Sequence, residues 1–225
     1  MVNVISFSLW GDKTQYTIGS IKNAELAKIM YPTFECWFYI HKESVPENII
    51  NELLKKSNVK IIFKYGDINV LKPRTWRFEA IDSPEVNVMI SRDTDTRIWE
   101  REVVAVNEWL ESKTLFHIMR DHPHHGFNIL AGMFGTKKIN NFNWSTNLQN
   151  YIIKDGHFYD QDFLRELVYP LIKNNCIIHA SFHKYENNSK PFPIKFNENY
   201  NFVGEYVYAD DSRSESHIVA LKNAL

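Results

Sequence analysis

The chain has 225 residues, enough for one sizeable domain or two small ones with a well-packed core. Hydrophobic residues make up 44% and charged residues 24%, the balance of a globular protein, and a net charge of -1 argues against nucleic acid or a membrane surface as an electrostatically bound partner. Cys36 and Cys176 both lie in apolar runs, which argues against a disulfide framework or a zinc knuckle; a reducing, cytoplasmic setting without a membrane span is the expectation.

Taken in order, residues 3–9 read as a strand that ends in the turn Trp10-Gly11-Asp12-Lys13. An amphipathic helix is expected from Tyr16 to Met30, with Ile18, Ile21, Ala24, Ile29 and Met30 on its apolar side and Pro32 as its stop. Residues 35–40 form a second strand. Pro46 opens a second helix, with Ile49, Ile50, Leu53 and Leu54 on one face, and residues 59–63 form a third strand. This alternation predicts a parallel sheet with crossover helices, an α/β fold. Residues 73–80 suggest a helical turn, 86–91 a buried strand, 100–112 a helix and 115–119 another strand. Further on, 129–134 reads as a short strand, 143–154 as an amphipathic helix, and 160–174 as a helix kinked at Pro170. Residues 176–181 are a final strand, and the tail alternates over 202–208 before turning polar. The polar stretch 186–191 reads as a soft loop.

The chemistry concentrates where the 86–91 strand stops, at Arg92-Asp93-Thr94-Asp95-Thr96-Arg97. In an open α/β sheet, ligands bind at the carboxyl ends of strands. Two carboxylates one residue apart repel unless a positive charge sits beside them. A divalent cation and simple pairing with Arg92 and Arg97 are both open readings. An extended chain would point Asp93 and Asp95 to one side, and hard oxygen ligands favour magnesium, calcium or manganese. Arg74, Arg77, Arg92 and Arg97 have guanidinium forks suited to a diphosphate, although at least one should pair with a nearby aspartate. Trp76 and Phe78 read as core.

Three other groups stand out. His122-Pro123-His124-His125 lacks the spacing of a helical zinc site and reads either as a pocket wall or as a solvated loop. His179 and His183 end a late strand, where one could complete the shell of an ion on Asp93 and Asp95 or simply be buried and hydrogen-bonded. Asp160 and Asp162 open a helix, where capping explains them, but a base aimed at a reaction centre would sit there too.

Together these residues resemble the GT-A class of nucleotide-sugar glycosyltransferases. The likeness rests on Asp93-Thr94-Asp95 after a central strand, the Leu130–Gly135 stretch, the Asp160-Gln161-Asp162-Phe163-Leu164 helix opening and a later histidine. Phe7–Gly11 and Tyr16–Ala24 are similar to the start of small GT-A domains of large DNA viruses, chlorella-virus rhamnosyltransferase-like. The resemblance implies a single GT-A domain over 1–225, with a Rossmann-like nucleotide-sugar half (1–97) and a more irregular acceptor-side half (98–225). It implies Mn²⁺ or Mg²⁺ held by Asp93, Asp95 and His179 (His183 being the alternative), and a donor site drawn from Ser8, Leu9, Tyr16, Arg77, Arg92 and Asp93. Asp162 would be the first candidate for the catalytic base and His122 the second. The partners would be a nucleoside-diphosphate sugar, such as a UDP-sugar, and a hydroxyl of a glycan or glycoprotein. If the protein is viral, the setting would be the host cytoplasm. A metal-dependent phosphohydrolase or nuclease, and a non-catalytic nucleotide-sugar-binding module, are the competing readings.

Overall fold

A computed structural model describes residues 1–139, 142–151 and 158–225. The apolar stretches form seven strands: β1 (Val2–Leu9), β2 (Phe34–His41), β3 (Val59–Lys64), β4 (Val86–Ser91), β5 (Phe116–Arg120), β6 (Phe134–Lys137) and β7 (Cys176–Ala180). Between and after them lie α1 (Thr14–Met30), α2 (Glu47–Leu54), α3 (Ile68–Leu71), α4 (Glu100–Glu111), α5 (Trp144–Asn150), α6 (Tyr159–Phe163), α7 (Tyr169–Ile172) and α8 (Glu215–Ala224). The strands make one sheet in the order β3-β2-β1-β4-β6-β5-β7. Neighbours pair in parallel except at β6, which is antiparallel to both β4 and β5. This is the expected mostly parallel α/β arrangement, and both halves of the chain contribute strands to it.

Helical cover on both faces explains why the central strands are apolar in both directions. Ile5, Phe7 and Leu9 of β1 pack with Phe38, Ile90, Val106 and Trp109 on one face. Val4 and Met89 pack on the other face, where Phe78, Phe134, Trp144 and Phe163 form an aromatic core. The Phe78 ring meets Phe134 edge-on at 5.5 Å and lies nearly parallel to Phe163 at 6.3 Å. The high aromatic content is thus largely spent on packing, and Trp76 and Phe78 are core residues as expected.

Several elements depart from the sequence pattern for identifiable reasons. Helix α1 seats itself on small residues beside the expected apolar face: Ile18, Ile21, Ala24 and Met30 pack against the core and Thr17, Gly19, Ser20, Asn23 and Ala27 are buried, while Ile29 is 75% exposed. Small residues let this helix lie close to the sheet and to the loop after β4. The expected 129–134 strand forms later, as β6, with Gly135 inside it rather than closing it. The helix expected over 160–174 is interrupted by a π-helical segment, Leu164–Val168, just before Pro170. Proline cannot donate the next helical hydrogen bond, and a widened turn accommodates that loss. Of the expected 143–154 helix, Trp144–Asn150 forms, and 152–154 lie outside the described residues. The tail over 202–208 adds no strand to the sheet: Tyr206 bridges Thr96, Val203 packs in the core, and α8 follows, a helix its polar sequence conceals. The 186–191 loop is tied down through Glu186, which accepts from Arg120, Tyr169 and Ser189. Among the described residues no helix is long and apolar enough to cross a membrane.

Gly135 illustrates how tightly β4, β6 and α4 meet. A Cβ there would lie 2.8 Å from the Trp109 ring and 3.1 Å from the Ile90 side chain, both buried. Gly135→Ala should therefore lower stability by about 1–3 kcal/mol through overpacking, read as a fall in the urea midpoint with an unchanged slope.

Candidate active site

The strand order reverses beside β1: the chain moves outward through β2 and β3, then returns to place β4 on the other side. Such a switch point opens a crevice at the carboxyl ends of the two strands. Here it is a cleft of about 550 Å³, with Ser8–Lys13, Tyr16, Arg74, Arg77, Asp93–Thr96, Gly204 and Tyr206 in its walls. The turn after β1 is closed by Gly11, whose φ of +75° suits glycine and whose N–H donates to Ser44 Oγ at 2.8 Å.

The two aspartates reach the cleft by a turn rather than an extended chain. Thr96 folds back, its hydroxyl donating to the Asp93 carbonyl at 2.9 Å. The Asp93 carboxylate is fixed on both sides. One oxygen is ion-paired with Arg77, and the other packs where a Cβ on Gly132 would stand, at 1.9 Å. Arg77 also donates to the Arg92 carbonyl at 3.1 Å and to Asp160 at 3.2 Å, while its own N–H donates to Ser8 Oγ at 3.0 Å. Burial opposes the Arg77 charge, but Asp93 and Asp160 outweigh it and hold the guanidinium above its ordinary range.

Asp95 is placed differently. Its Oδ2 accepts from Gln15 Nε2 at 3.1 Å. Burial, then the nearby Asp93 charge, pushes its carboxyl up to about 7. A buried carboxylate beside a second one is chemically suited to bind a cation. Among the described residues no group of three or more His, Cys, Asp or Glu side chains is arranged to hold one ion.

Helix α1 holds this turn from behind. Gln15, Gly19 and Asn23 are spaced four apart and so share one helical face. Asn23 Nδ2 donates to the carbonyls of Thr94 and Thr96 at 3.1 and 2.8 Å. A Cβ on Gly19 would stand 2.1 Å from the Thr94 carbonyl oxygen. Periodic hydrophobicity gives no hint of this role, because the stripe contains no apolar side chain larger than glycine.

The structure brings Ser8, Leu9, Tyr16, Arg77, Asp93 and Asp95 to the same cleft. It separates the other expected residues from it. Arg92 is buried, with Nε on Glu102 at 2.8 Å and Nη1 on the Ser91 carbonyl at 2.7 Å, so it is a structural cation and not a diphosphate ligand. His179 lies on β7, three strands from β4, with its ring nitrogens on His117 at 2.8 Å and Glu108 at 3.2 Å. It is not a partner of Asp93 and Asp95. His183 is turned to the Pro123 carbonyl at 2.6 Å. His122 has both ring nitrogens occupied: Nδ1 accepts from the His124 N–H at 3.1 Å and Nε2 donates to the His217 carbonyl at 2.9 Å. With neither nitrogen open, it is not placed to act as a base. Asp162 pairs with Arg165 one turn along its helix, at 2.8 Å. The buried Asp160 is the carboxylate of α6 that reaches the site, through Arg77, and burial raises its carboxyl. Lys13, Arg74, Gln15, Asn23 and Tyr206 complete the setting; of these, Arg74 was expected as a diphosphate ligand and Lys13 as part of the turn after the first strand, and Gln15, Asn23 and Tyr206 had no expected role.

No protein-family model and no curated protein matches the chain. Solved structures do. A glycosyltransferase involved in the glycosylation of the major capsid of PBCV-1 is 16% identical, with a TM-score of 0.52 over 80% of this chain and 82% of that one. The galactosyltransferase LgtC, in complex with donor and acceptor sugar analogs, is 10% identical, with a TM-score of 0.54 over 78% and 73%. The 4-diphosphocytidyl-2C-methyl-D-erythritol synthase of Anaerococcus prevotii is 12% identical, with a TM-score of 0.52 over 84% and 93%. At these identities the likeness is one of fold, and the fold is of the GT-A, Rossmann-like kind.

The histidine loop makes a prediction about stability. Burial pushes the His125 imidazole down to about 3, and its neutral Nδ1 accepts the Asp121 N–H at 3.1 Å. The native value lies below the unfolded value of about 6.5, so this contribution is complete above that pH and is lost as pH falls toward 3. His125→Asn keeps an acceptor but does not titrate. The stability gap between parent and His125→Asn should therefore narrow as pH falls from 6.5, by up to about 1.4 kcal/mol per unit, in denaturant titrations at stepped pH. A constant gap would show that His125 is not held neutral by burial.

Proposed function

We propose that the protein is a metal-dependent glycosyltransferase, moving a sugar from a nucleoside-diphosphate donor such as a UDP-sugar to a hydroxyl of a glycan or glycoprotein. The observation that carries this reading is the cleft itself: three carboxylates, Asp12 and the clustered Asp93 and Asp95, with three cationic side chains, Lys13, Arg74 and Arg77, at the switch point of a GT-A-like sheet. A nucleoside diphosphate asks for that mixture, because its phosphates need positive charge and its counter-cation needs oxygen ligands. Asp95 would hold Mn²⁺ or Mg²⁺, with Asp93 sharing it directly or through water. When bound, such an ion supplies Lewis-acid neutralisation of charge on the departing diphosphate.

The chain's own residues account for the rest. Ser8, Leu9 and Tyr16 wall the nucleotide side of the cleft, and Lys13 and Arg74 supply charge to the phosphates. Arg77, braced by Asp93 and Asp160, cannot swing away and so presents a preorganised dipole and charge to the donor. The likeness to a cytidylyl-type synthase over 93% of that chain supports a second reading, nucleotidyl transfer from a nucleoside triphosphate. The two differ in the bond broken: the sugar–phosphate bond in one, the α–β phosphoanhydride in the other.

A panel of nucleotide sugars and nucleoside triphosphates, each with Mn²⁺ and with chelator, distinguishes them by thermal shift and product analysis. A cognate sugar donor at a hundred times its Kd should stabilise the protein by about 2.7 kcal/mol, and only with the metal. Asp95→Ala should lose that shift. If no nucleotide sugar stabilises the protein and Asp95→Ala behaves like the parent, the transferase reading falls; pyrophosphate release from a triphosphate would support nucleotidyl transfer instead. Gly132→Ala tests the packing of Asp93. Its Cβ would displace the carboxylate, so metal-dependent donor binding should weaken about tenfold while circular dichroism stays native.

A further inference from the structure

We propose that Gln15 is a positioning residue for Asp95 and that, through Tyr206, it couples that carboxylate to the chain segment forming the far wall of the cleft. The inference rests on the cation-binding reading of Asp95 and adds residues that neither the aspartate motif nor the fold likeness assigns.

The side-chain amide of Gln15 is used at both ends. Its Nε2 donates to Asp95 Oδ2 at 3.1 Å, and its Oε1 accepts from the Tyr206 hydroxyl at 2.6 Å. With Asp95 ionised, as a bound cation would hold it, the carboxylate can only accept, so the Gln15 amide donates to it and the tyrosine donates to Oε1. An amide is the side chain that meets both demands; a glutamate would face Asp95 with a second negative charge, and a lysine would offer Tyr206 no acceptor. Gln15 sits in the first turn of α1, on the face that also carries Gly19 and Asn23 against the same turn.

The segment around Tyr206 grips Asp95 a second time. The Val207 N–H donates to the Asp95 carbonyl at 2.8 Å, and Thr96 bridges Tyr206 in antiparallel fashion. Gly204 and Tyr206 line the cleft. Further along, Asp211 pairs with Lys22, again on α1, and with Arg97 at 3.1 Å. Asp95 is thus held through its backbone by the segment and through its carboxylate by Gln15, which the segment in turn holds. With Oδ2 occupied, the amide sets which way the other oxygen points. Outer contacts of this kind orient metal-ligating side chains, and their loss typically costs about 10–100-fold in metal affinity.

The test uses the metal-free full chain titrated with Mn²⁺, the free ion being followed by electron paramagnetic resonance, alongside thermal unfolding without metal. Gln15→Ala should weaken Mn²⁺ binding about tenfold. Tyr206→Phe should weaken it in the same direction by a smaller factor. The double variant should be no worse than Gln15→Ala, because Tyr206 acts through Gln15. The metal-free melting temperature should change little in all three. Parent-like Mn²⁺ affinity in Gln15→Ala overturns the positioning role while leaving the metal reading intact. Fully additive losses overturn the coupling to Tyr206. A large fall in metal-free melting temperature that tracks the affinity loss assigns Gln15 to folding instead and overturns the proposal. A parent chain that binds no Mn²⁺ overturns the metal reading of the cleft and this inference with it.

Discussion

The site depends on one electrostatic constraint: two carboxylates, Asp93 and Asp95, are brought into the same turn at the mouth of a buried strand. Like charges at that spacing in a partly desolvated place are unstable without compensation. The fold compensates them unequally. Asp93 receives a buried guanidinium, Arg77, which Asp160 braces from α6. Asp95 accepts from a neutral amide, Gln15, and burial and the Asp93 charge push its carboxyl up to about 7 although Arg77 pulls the other way. The asymmetry leaves Asp93 ion-paired with Arg77 and Asp95 with a raised carboxyl in the cleft wall.

Close approach makes the arrangement possible. Gly19 lets α1 touch the Thr94 carbonyl, and Gly132 leaves room for the Asp93 carboxylate. In both places a methyl group would stand where an oxygen now lies. Around them, buried cations not open to the cleft stiffen the scaffold. Arg92 is paired with Glu102, and Arg101 is paired bidentately with Asp121, whose Oδ2 also accepts the Val203 N–H. Through that last contact the loop after β5 fixes the start of the segment that carries Gly204 and Tyr206. Such buried pairs add little net stability, but each would be costly to break, and so they hold the geometry.

Much of this was legible in the chain. The alternation of apolar runs and amphipathic stretches specified the first five elements, because period-two and period-3.6 patterns are local properties of the residues. The abrupt change from Val88-Met89-Ile90 to charged residues marked the end of a central strand and hence the place of the cleft. Where local pattern and tertiary use diverge, the reading failed. Helix α1 shows it plainly: the face it turns to the acidic loop carries Gln15, Gly19 and Asn23, while Ile29 points to solvent. The histidines misled for a related reason. His179 was expected as a metal ligand and His122 as a base, yet their ring nitrogens are taken by other groups, most of which only the folded chain brings near.

The sequence by itself determined the α/β class, the strand that delivers the acidic pair, and the presence of a carboxylate at the head of α6. Those follow from short-range periodicity and from residue types that have few other uses. Only the tertiary structure decided which arginine meets Asp93, that Asp160 rather than Asp162 faces inward, and that Tyr206 returns from far along the chain to bind Gln15. Those are matters of which groups share a small desolvated volume, and contacts between distant parts of a chain leave no period in its sequence.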